Sequence, residues 1–397
     1  MRLIIIKRHP LSTPDGFWYA WVRSLIQPTE VPMLLYGAID LHSNSNQSAI
    51  LGEDRKRVMK RKLANDPDLI LAFWEPYKAD LAGIVVESTY NWYWLVDLLQ
   101  ENGYGVHLAN PAAIQKYRGL KHADDNHDAF WLAELLLLGI LPEGYIYPKE
   151  TRAVRDLLRK RQQLRELRTC LILSLQNMVT RNGGPKLSAN DLKTLKEDRA
   201  QAYLQEFPEL LLSGSANKVC IDALTQQMAR IEAAVEQKLK LQEPYTKLLT
   251  LPGVARILAC TIMLETGPIH RFATVGDYAS YCRKVQSLWT SNEKVKGHGN
   301  KKNGNRYLAW AFSEASEKAR IHHRASREFY QRKLRQKKSV SLAHNALAHK
   351  LARAAFYILR DNVPFQQEKM FGSPQALLDK GPGADGEPLV KLVKPGD

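Results

Sequence analysis

Residues 33–64 read MLLYGAIDLHSNSNQSAILGEDRKRVMKRKLA, three strand-like runs in succession. MLLYGAID is apolar to its last residue, Asp40, and QSAILG and RKRVMKRK are joined by the turn residues Gly52, Glu53 and Asp54. Further along, a helix is expected near Asp68–Asp80, then a strand AGIVVE ending in Glu87. A Trp/Leu-rich helix near Trp92–Glu101 and a strand YGVHLAN follow. Three strands in a row, then helices and strands in alternation, predict a mixed sheet with helices packed on it, an α/β layer architecture.

Asp40 and Glu87 each end an apolar strand, where sites gather in open α/β sheets. The segment GLKHADDNHDAFWLAELLLL (119–138) then places Asp124, Asp125 and Asp128 at the mouth of an apolar helix. Asp125 and Asp128, three apart, share a helix face. Like charges so close disfavour joint ionisation unless a cation lies between them, and Mg²⁺ takes such hard oxygen ligands. Singly, each acid has a blander role, as the first solvated residue of a loop or as a complement to a helix dipole. Together, Asp40, Glu87, Asp125 and Asp128 converging on one sheet edge would bind two Mg²⁺ ions, an arrangement suited to phosphodiester displacement.

The formal net charge of +16 over 397 residues points to a polyanion, nucleic acid first. No apolar run is long enough to cross a bilayer, and the run in MRLIIIKRHP is too short for a secretory signal, so a cytoplasmic protein without a membrane partner is expected. Cys170, Cys220, Cys260 and Cys282 lie far apart and read as reduced thiols.

Residues 1–32 have no sustained period and form an extension of unassigned role; residues 33–147 form the sheet domain. Residues 148–243 are long charged helices. Leu157, Leu164, Leu171 and Met178 recur at seven, and Ile221, Leu224, Met228, Ile231 and Val235 alternate by three and four, the stripes of a coiled coil. An intramolecular hairpin and a dimerisation arm both fit these stripes. Arg161 and Arg168 fall on the seam; Arg152, Arg155, Arg159 and Arg165 fall on the outer face, where they could touch RNA or DNA.

Residues 244–371 open with LLTLPGVARILACTIMLETGPIHRF, which resembles a helix-hairpin-helix with Ala255 in place of its second Gly. SLWTSNEKVKGHGNKKNGNRYLAWAF (287–312) follows, its Lys294, Lys296, Lys301, Lys302 and Arg306 in a Gly-rich loop suited to phosphate contact. A basic helix carries Phe329 and Tyr330, aromatics that could stack on bases. A packing helix ends near Asp361, and residues 372–397, rich in Gly, Pro and Asp, are expected to be a disordered tail.

GAID (37–40), VVESTYNWYWL (85–95) and GLKHADDNHDAFWLAEL (119–135) resemble the three acidic motifs of the DEDD transposases, an insertion-sequence family guided by a bridge RNA. The family's Lys-Thr-Asp-x-x-Asp-Ala pattern stands here as Ala123-Asp124-Asp125-Asn126-His127-Asp128-Ala129, so Asp125 and Asp128 are the matching pair. Counting back from Gly304-Asn305-Arg306-Tyr307-Leu308, the family's nucleophile falls on Ser291, with Asn292 where a Gly often follows and Ser287 as second choice.

The resemblance implies an RNase H-like (RuvC-like) α/β domain, a helical coiled-coil insertion and a mainly helical C-terminal transposase domain. The implied activity is that of a transposase/recombinase. Asp40, Glu87, Asp125 and Asp128 would hold Mg²⁺, and Ser291 would form a transient covalent ester with DNA. Donor and target DNA, a bridge RNA and a homo-oligomer, dimer or tetramer, are the implied partners, in a nucleoid-associated bacterial or archaeal protein. Two other classes stay open: a RuvC-like structure-specific nuclease that uses water as nucleophile, and a non-catalytic nucleic-acid-binding protein.

Overall fold

The computed structural model describes residues 33–114, 128–194, 202–285, 288–291, 294–298 and 303–372, with backbone alone across 288–298. The extension at 1–32 and the tail at 373–397 lie outside the described residues. The chain divides into two compact units, Met1–Ile146 and Tyr147–Asp397.

The first unit is built on a five-stranded mixed sheet, ordered β3-β2-β1-β4-β5. Its strands are β1 (Leu35–Leu41), β2 (Ser45–Gly52), β3 (Arg57–Ala64), β4 (Leu81–Glu87) and β5 (Val106–Ala109). β1, β2 and β3 are antiparallel neighbours, and β1, β4 and β5 run parallel. This is the mixed sheet expected of an RNase H-like fold. Helix α1 (Pro67–Trp74) begins at Asp66, whose carboxylate accepts from the Asp68 and Leu69 amides, with Pro67 at the first turn. A 3₁₀ turn (Glu75–Asp80) returns the chain to β4, so the helix expected to Asp80 is α-helical only to Trp74. Helix α2 (Tyr93–Glu101) and the short α3 (Pro111–Ile114) complete the crossovers.

Each face of the sheet has its own core, because side chains alternate along a strand. Ile39, Leu41, Ile84 and Val86 pack with Trp74, Leu95 and Leu99 on one face. Gly37 is required there: a Cβ would sit 2.7 Å from the Trp74 ring. Ala38, Ala49, Leu51 and Val85 occupy the other face beneath helix α4 (Asp128–Leu137), which buries Ala129, Phe130, Leu132 and Ala133 against them.

The second unit is helical. Its long helices α5 (Lys149–Arg181) and α7 (Pro208–Leu239) flank the short α6 (Ala189–Thr194). α5 and α7 pair antiparallel within the chain. Arg161 meets Glu232 (2.7 Å), Arg168 meets Thr225 (3.1 Å) and Asn217 meets Ser174 (3.4 Å), so the two seam arginines do face the partner helix. The leucine stripe on α5 is partly corrected: Met178 is buried and Leu171 packs against the same core, but the stripe does not hold along the whole helix. Leu157 is exposed, while Leu158, Ile172, Leu175 and Val179 are buried. α5 is rotated because it packs on two sides: Leu158 shares a core with Val235, Leu239 and the C-terminal helices, while Ile172 and Leu175 share one with Ile221.

The remaining helices are α8 (Glu243–Leu248), α9 (Arg256–Thr266), α10 (Val275–Tyr281), α11 (Arg306–His322), α12 (Arg324–Lys337), α13 (Val340–Asp361) and α14 (Gln367–Phe371). Residues 249–255 turn between α8 and α9, but Gly253 is pressed into the protein. With φ +79° it approaches α11 so closely that a Cβ would lie 2.1 Å from the Ala315 carbonyl oxygen. Core packing against α11 accounts for that glycine.

Candidate active site and nucleic-acid interface

β1 and β4 are in parallel register with Ile39 opposite Val86, so the next residues stand side by side near the carboxyl ends, Glu87 last in β4 and Asp40 one residue before the end of β1. Since Ile39 and Val86 belong to one face, Asp40 and Glu87 project to the other, the face that carries α4. Asp128 is the first residue of α4 and so opens the helix that lies on that face. Asp125 lies outside the described residues. Asp40 is only 7% exposed, with His42 Nε2 3.4 Å from its Oδ2.

The loops around the carboxylate pair are tied together. Asn91 Nδ2 donates to the His42 carbonyl (3.1 Å), Tyr90 OH to Ser43 Oγ (3.1 Å), and Asn65 Nδ2 to the carbonyls of His42 and Ser43 (2.9 and 3.1 Å). These bonds fix the chain immediately after Asp40 and after Glu87, which sequence patterning gave no means of finding.

A buried carboxylate beside a second one is an arrangement that a bound cation relieves, and an all-oxygen donor set suits Mg²⁺. Among the described residues, no three of His, Cys, Asp or Glu form a ready-made metal cluster. The donor set among the described residues is therefore the Asp40–Glu87 pair, with Asp128 on the same face. All four cysteines are free thiols.

The register extends this row to the sheet edge. Asp40 is opposite Gln47 on β2, and Gln47 is opposite Lys62 on β3. Lys60 lies one row down, opposite Ala49, which is opposite Ala38. Lys60 and Lys62 therefore stand on the carboxylate face, two strands or about 10 Å from β1. Lys62 is exposed, Gln47 half-buried and Asp40 buried, a gradient from solvent to the acids.

In the helical unit, residues 288–298 are not a plain loop. β6 (Leu288–Ser291) and β7 (Lys294–His298) form a two-stranded antiparallel hairpin, with Ser291 paired to Lys294 at its tip. Lys294 and Lys296 lie on β7, while Lys301 and Lys302 fall outside the described residues. The hairpin stands on a fixed root. Arg283 Nε and Nη2 both donate to the Gly304 carbonyl (3.0 and 2.7 Å), and the Asn305 amide donates to the Tyr281 carbonyl (2.6 Å). Gly304 has φ +86° and no room for a side chain, since a Cβ would lie 2.5 Å from that same Tyr281 carbonyl oxygen.

Asn305 caps α11, its Oδ1 accepting from the Tyr307 and Leu308 amides. Its Nδ2 donates to Glu265 Oε2 (2.7 Å), and Glu265 is in turn held by Arg159 through two bonds of 2.6 and 2.7 Å. Glu265 is 1% exposed, and Arg159 also covers the Tyr307 ring at 4.6 Å. The root of the hairpin is thus locked to α5 and α9 by a carboxylate that sequence reasoning missed. Its one signal was a lone acid in the apolar run RILACTIMLET. Arg306, the first residue of α11, is exposed.

Two expected interfaces are corrected. Arg152 and Arg155 are buried, Arg155 over the Tyr147 ring at 3.8 Å, and Arg165 binds Glu314 at 2.9 Å. Arg152 and Arg155 therefore do not stand on an outer face, and Arg159 and Arg165 are held by acids of the same unit. Phe329 and Tyr330 are 7% and 8% exposed, turned into the core beside Phe371 and His344, so they cannot stack on bases. One constellation has hydrolase-like spacing: Ser316 Oγ lies 3.2 Å from His344 Nδ1, whose Nε2 lies 2.7 Å from Glu317. Ser316 is fully buried and also donates to the His344 carbonyl, so it fastens α11 to α13 and is no nucleophile.

No helix among the described residues is long and apolar enough to cross a membrane. Residues 38–182 match the DEDD-type model of the IS110 group, described as Transposase, and residues 245–331 match the model described as Transposase IS116/IS110/IS902 family. The two matches together span more than half of the chain. No curated protein matches it.

Proposed function

Since this chain belongs to the IS110 family of transposases and is a DNA transposase, we propose that it exchanges strands through a serine nucleophile at a carboxylate-held Mg²⁺ site. Asp40, Glu87, Asp125 and Asp128 would hold the metal, which when bound stabilises negative charge developing at the scissile phosphate. The observation that carries this reading is the Asp40–Glu87 pair, aligned by strand register at the carboxyl end of the sheet with one member buried. Lys62 and Gln47, in the same row, would receive neighbouring phosphates and lead a DNA strand across the sheet toward the acids.

Ser291 Oγ attacks phosphorus and gives up its proton. An Oγ–P bond forms, the P–O bond to the leaving deoxyribose breaks, and the leaving oxygen takes a proton. Attack by a hydroxyl of the second DNA reverses these changes, re-forms a phosphodiester and restores the serine, with no redox change. Placing Ser291 at the tip of a hairpin whose root is locked supports delivery of its hydroxyl in a fixed direction. Lys294, Lys296, Lys301, Lys302 and Arg306, close to it in sequence, would supply charge for the backbone.

Sequence choice is delegated to a bridge RNA that pairs with donor and target DNA, the protein reading mainly backbone and shape. Exchange between two DNAs needs more than one active site, hence a dimer or tetramer. The test is trapping with labelled donor DNA, Mg²⁺ and the co-purified RNA. A protein–DNA adduct absent in Ser291→Ala supports the reading. Cleavage without any adduct in the wild type would assign water as nucleophile. An absence of Mg²⁺-dependent cleavage, unchanged by Asp125→Ala, would leave a binding protein.

A further inference from the structure

Three cations of the last helices are matched with acids. Arg320 pairs with Glu317, Arg324 with Glu328 and Arg360 with Asp361. One cluster is not. The Lys350 ammonium of α13 lies between two rings, 5.4 Å from the centroid of Phe329 and 5.6 Å from that of Phe371. Arg332 and Lys333 of α12 approach the same Phe329 ring at 5.5 and 5.9 Å. Arg353 follows Lys350 by one turn of α13.

Among the described residues, no carboxylate pairs with Arg332, Lys333, Lys350 or Arg353, and Lys333 Nζ donates only to the neutral Gln336 (2.9 Å). Burial first, and then the charges of Arg332, Arg353 and Lys333, push the Lys350 amine down to about 8. His349 beside it is lowered by burial and by the Arg353 and Lys350 charges.

A ring face attracts one cation weakly, and cannot offset the mutual repulsion of several. Half-buried like charges are also screened less by salt than exposed ones. Such a cluster is stable when an anion fills it. It lies on the surface formed by α12, α13 and α14, just past the segment that the second family model matches.

We propose that Arg332, Lys333, Lys350 and Arg353 form a phosphate-backbone site that grips nucleic acid away from the reacting bond. The ligand chemistry is the phosphodiester, which DNA and RNA share. The proposal rests on the transposase's nucleic-acid substrate and not on the metal or the serine, so its failure leaves the catalytic reading standing.

The test is fluorescence anisotropy on the full-length protein without Mg²⁺, using a labelled random-sequence DNA duplex and, separately, a labelled structured RNA hairpin. Salt is varied between about 50 and 200 mM. Lys350→Met and Arg332→Gln are each expected to weaken binding about three- to tenfold and to lower the salt slope by about one. Arg324→Gln, an ion-paired cation on the same helix, is expected to leave both unchanged. Lys350→Met is expected to melt at or above the wild-type temperature, because it removes one of several repelling charges. Loss on the duplex alone or the hairpin alone supports the site and names its polymer. Wild-type affinity and slope for Arg332→Gln on both probes overturns the proposal, whatever Lys350→Met does to folding. An equal loss in Arg324→Gln also overturns it, since the effect would then be general charge.

Discussion

On β3, Lys62 stands exposed on an edge strand, at the outer end of a row that runs through Gln47 to Asp40. On α5, a run just as basic points the other way: Arg152 and Arg155 are buried, and Arg159 and Arg165 reach Glu265 and Glu314, 106 and 149 residues along the chain. The lesson is that a net charge of +16 does not measure the surface offered to DNA. A strand at a sheet edge has solvent on its open side and keeps its cations there. A long helix packed on two sides brings its cations against whatever acids the other helices supply, and those charges are spent inside.

The widest expected gap between the two regions is catalytic. Asp40→Asn should lower Mg²⁺-dependent strand cleavage by on the order of a hundred- to a thousandfold, the usual loss when one electrostatic stabiliser is removed. Thermal stability should hold or rise, because the substitution relieves repulsion between neighbouring acids. A variant that cuts normally would end the idea that the sheet row is the active site.

Next in size is the internal network of the helical unit. Glu265→Gln leaves Arg159 with half its bonding and should cost about 2–4 kcal/mol in urea unfolding, somewhat below a fully buried pair because Arg159 is partly exposed. Combining it with Arg159→Met should recover much of that loss. Failure to recover would show that the arginine acts mainly by covering Tyr307.

A smaller effect separates outward from inward cations. Lys62→Gln should lower duplex affinity several-fold and flatten its salt dependence by about one contact, whereas Arg165→Gln should leave the salt slope alone. The reverse result would invert the comparison.

The smallest effect is in pH. Burial pushes Lys284, whose Nζ donates to Ser313 (2.7 Å), down to about 8. A lysine lowered in the fold binds fewer protons than in the unfolded chain between about 8 and 10.5, so its contribution to stability rises with pH across that window. Stability of the wild type minus that of Lys284→Met should therefore climb from pH 8 to 10.5, which buffered denaturant titrations can read. A flat difference would mean that the lysine is not desolvated as its packing implies.

Much of this molecule was written locally. Short strand-like runs bounded by turn residues located β1 to β5, while Arg306, expected in the Gly-rich loop, opens α11 after Gly304 takes a left-handed φ and Asn305 caps the helix. Asp40 and Glu87 were visible as strand ends because a polar residue closing an apolar run is a local event. The leucine stripe on α5, by contrast, selected Leu157 where Leu158 is buried, since a helix with partners on two sides has no single apolar face. The hairpin at 288–298 was hidden because two short polar strands carry little periodicity.

By itself the sequence determined which residues bear charge, which runs become strands and helices, and that a carboxylate lies at or next to the end of two of the strands. Only the tertiary structure decided that Asp40 and Glu87 are neighbours, that Lys62 shares their row, and that Glu265 binds both Arg159 and Asn305. Periodicity is a property of a few consecutive residues. Strand register and long-range ion pairing depend on which distant segments meet, and those meetings are set by burial of the whole chain.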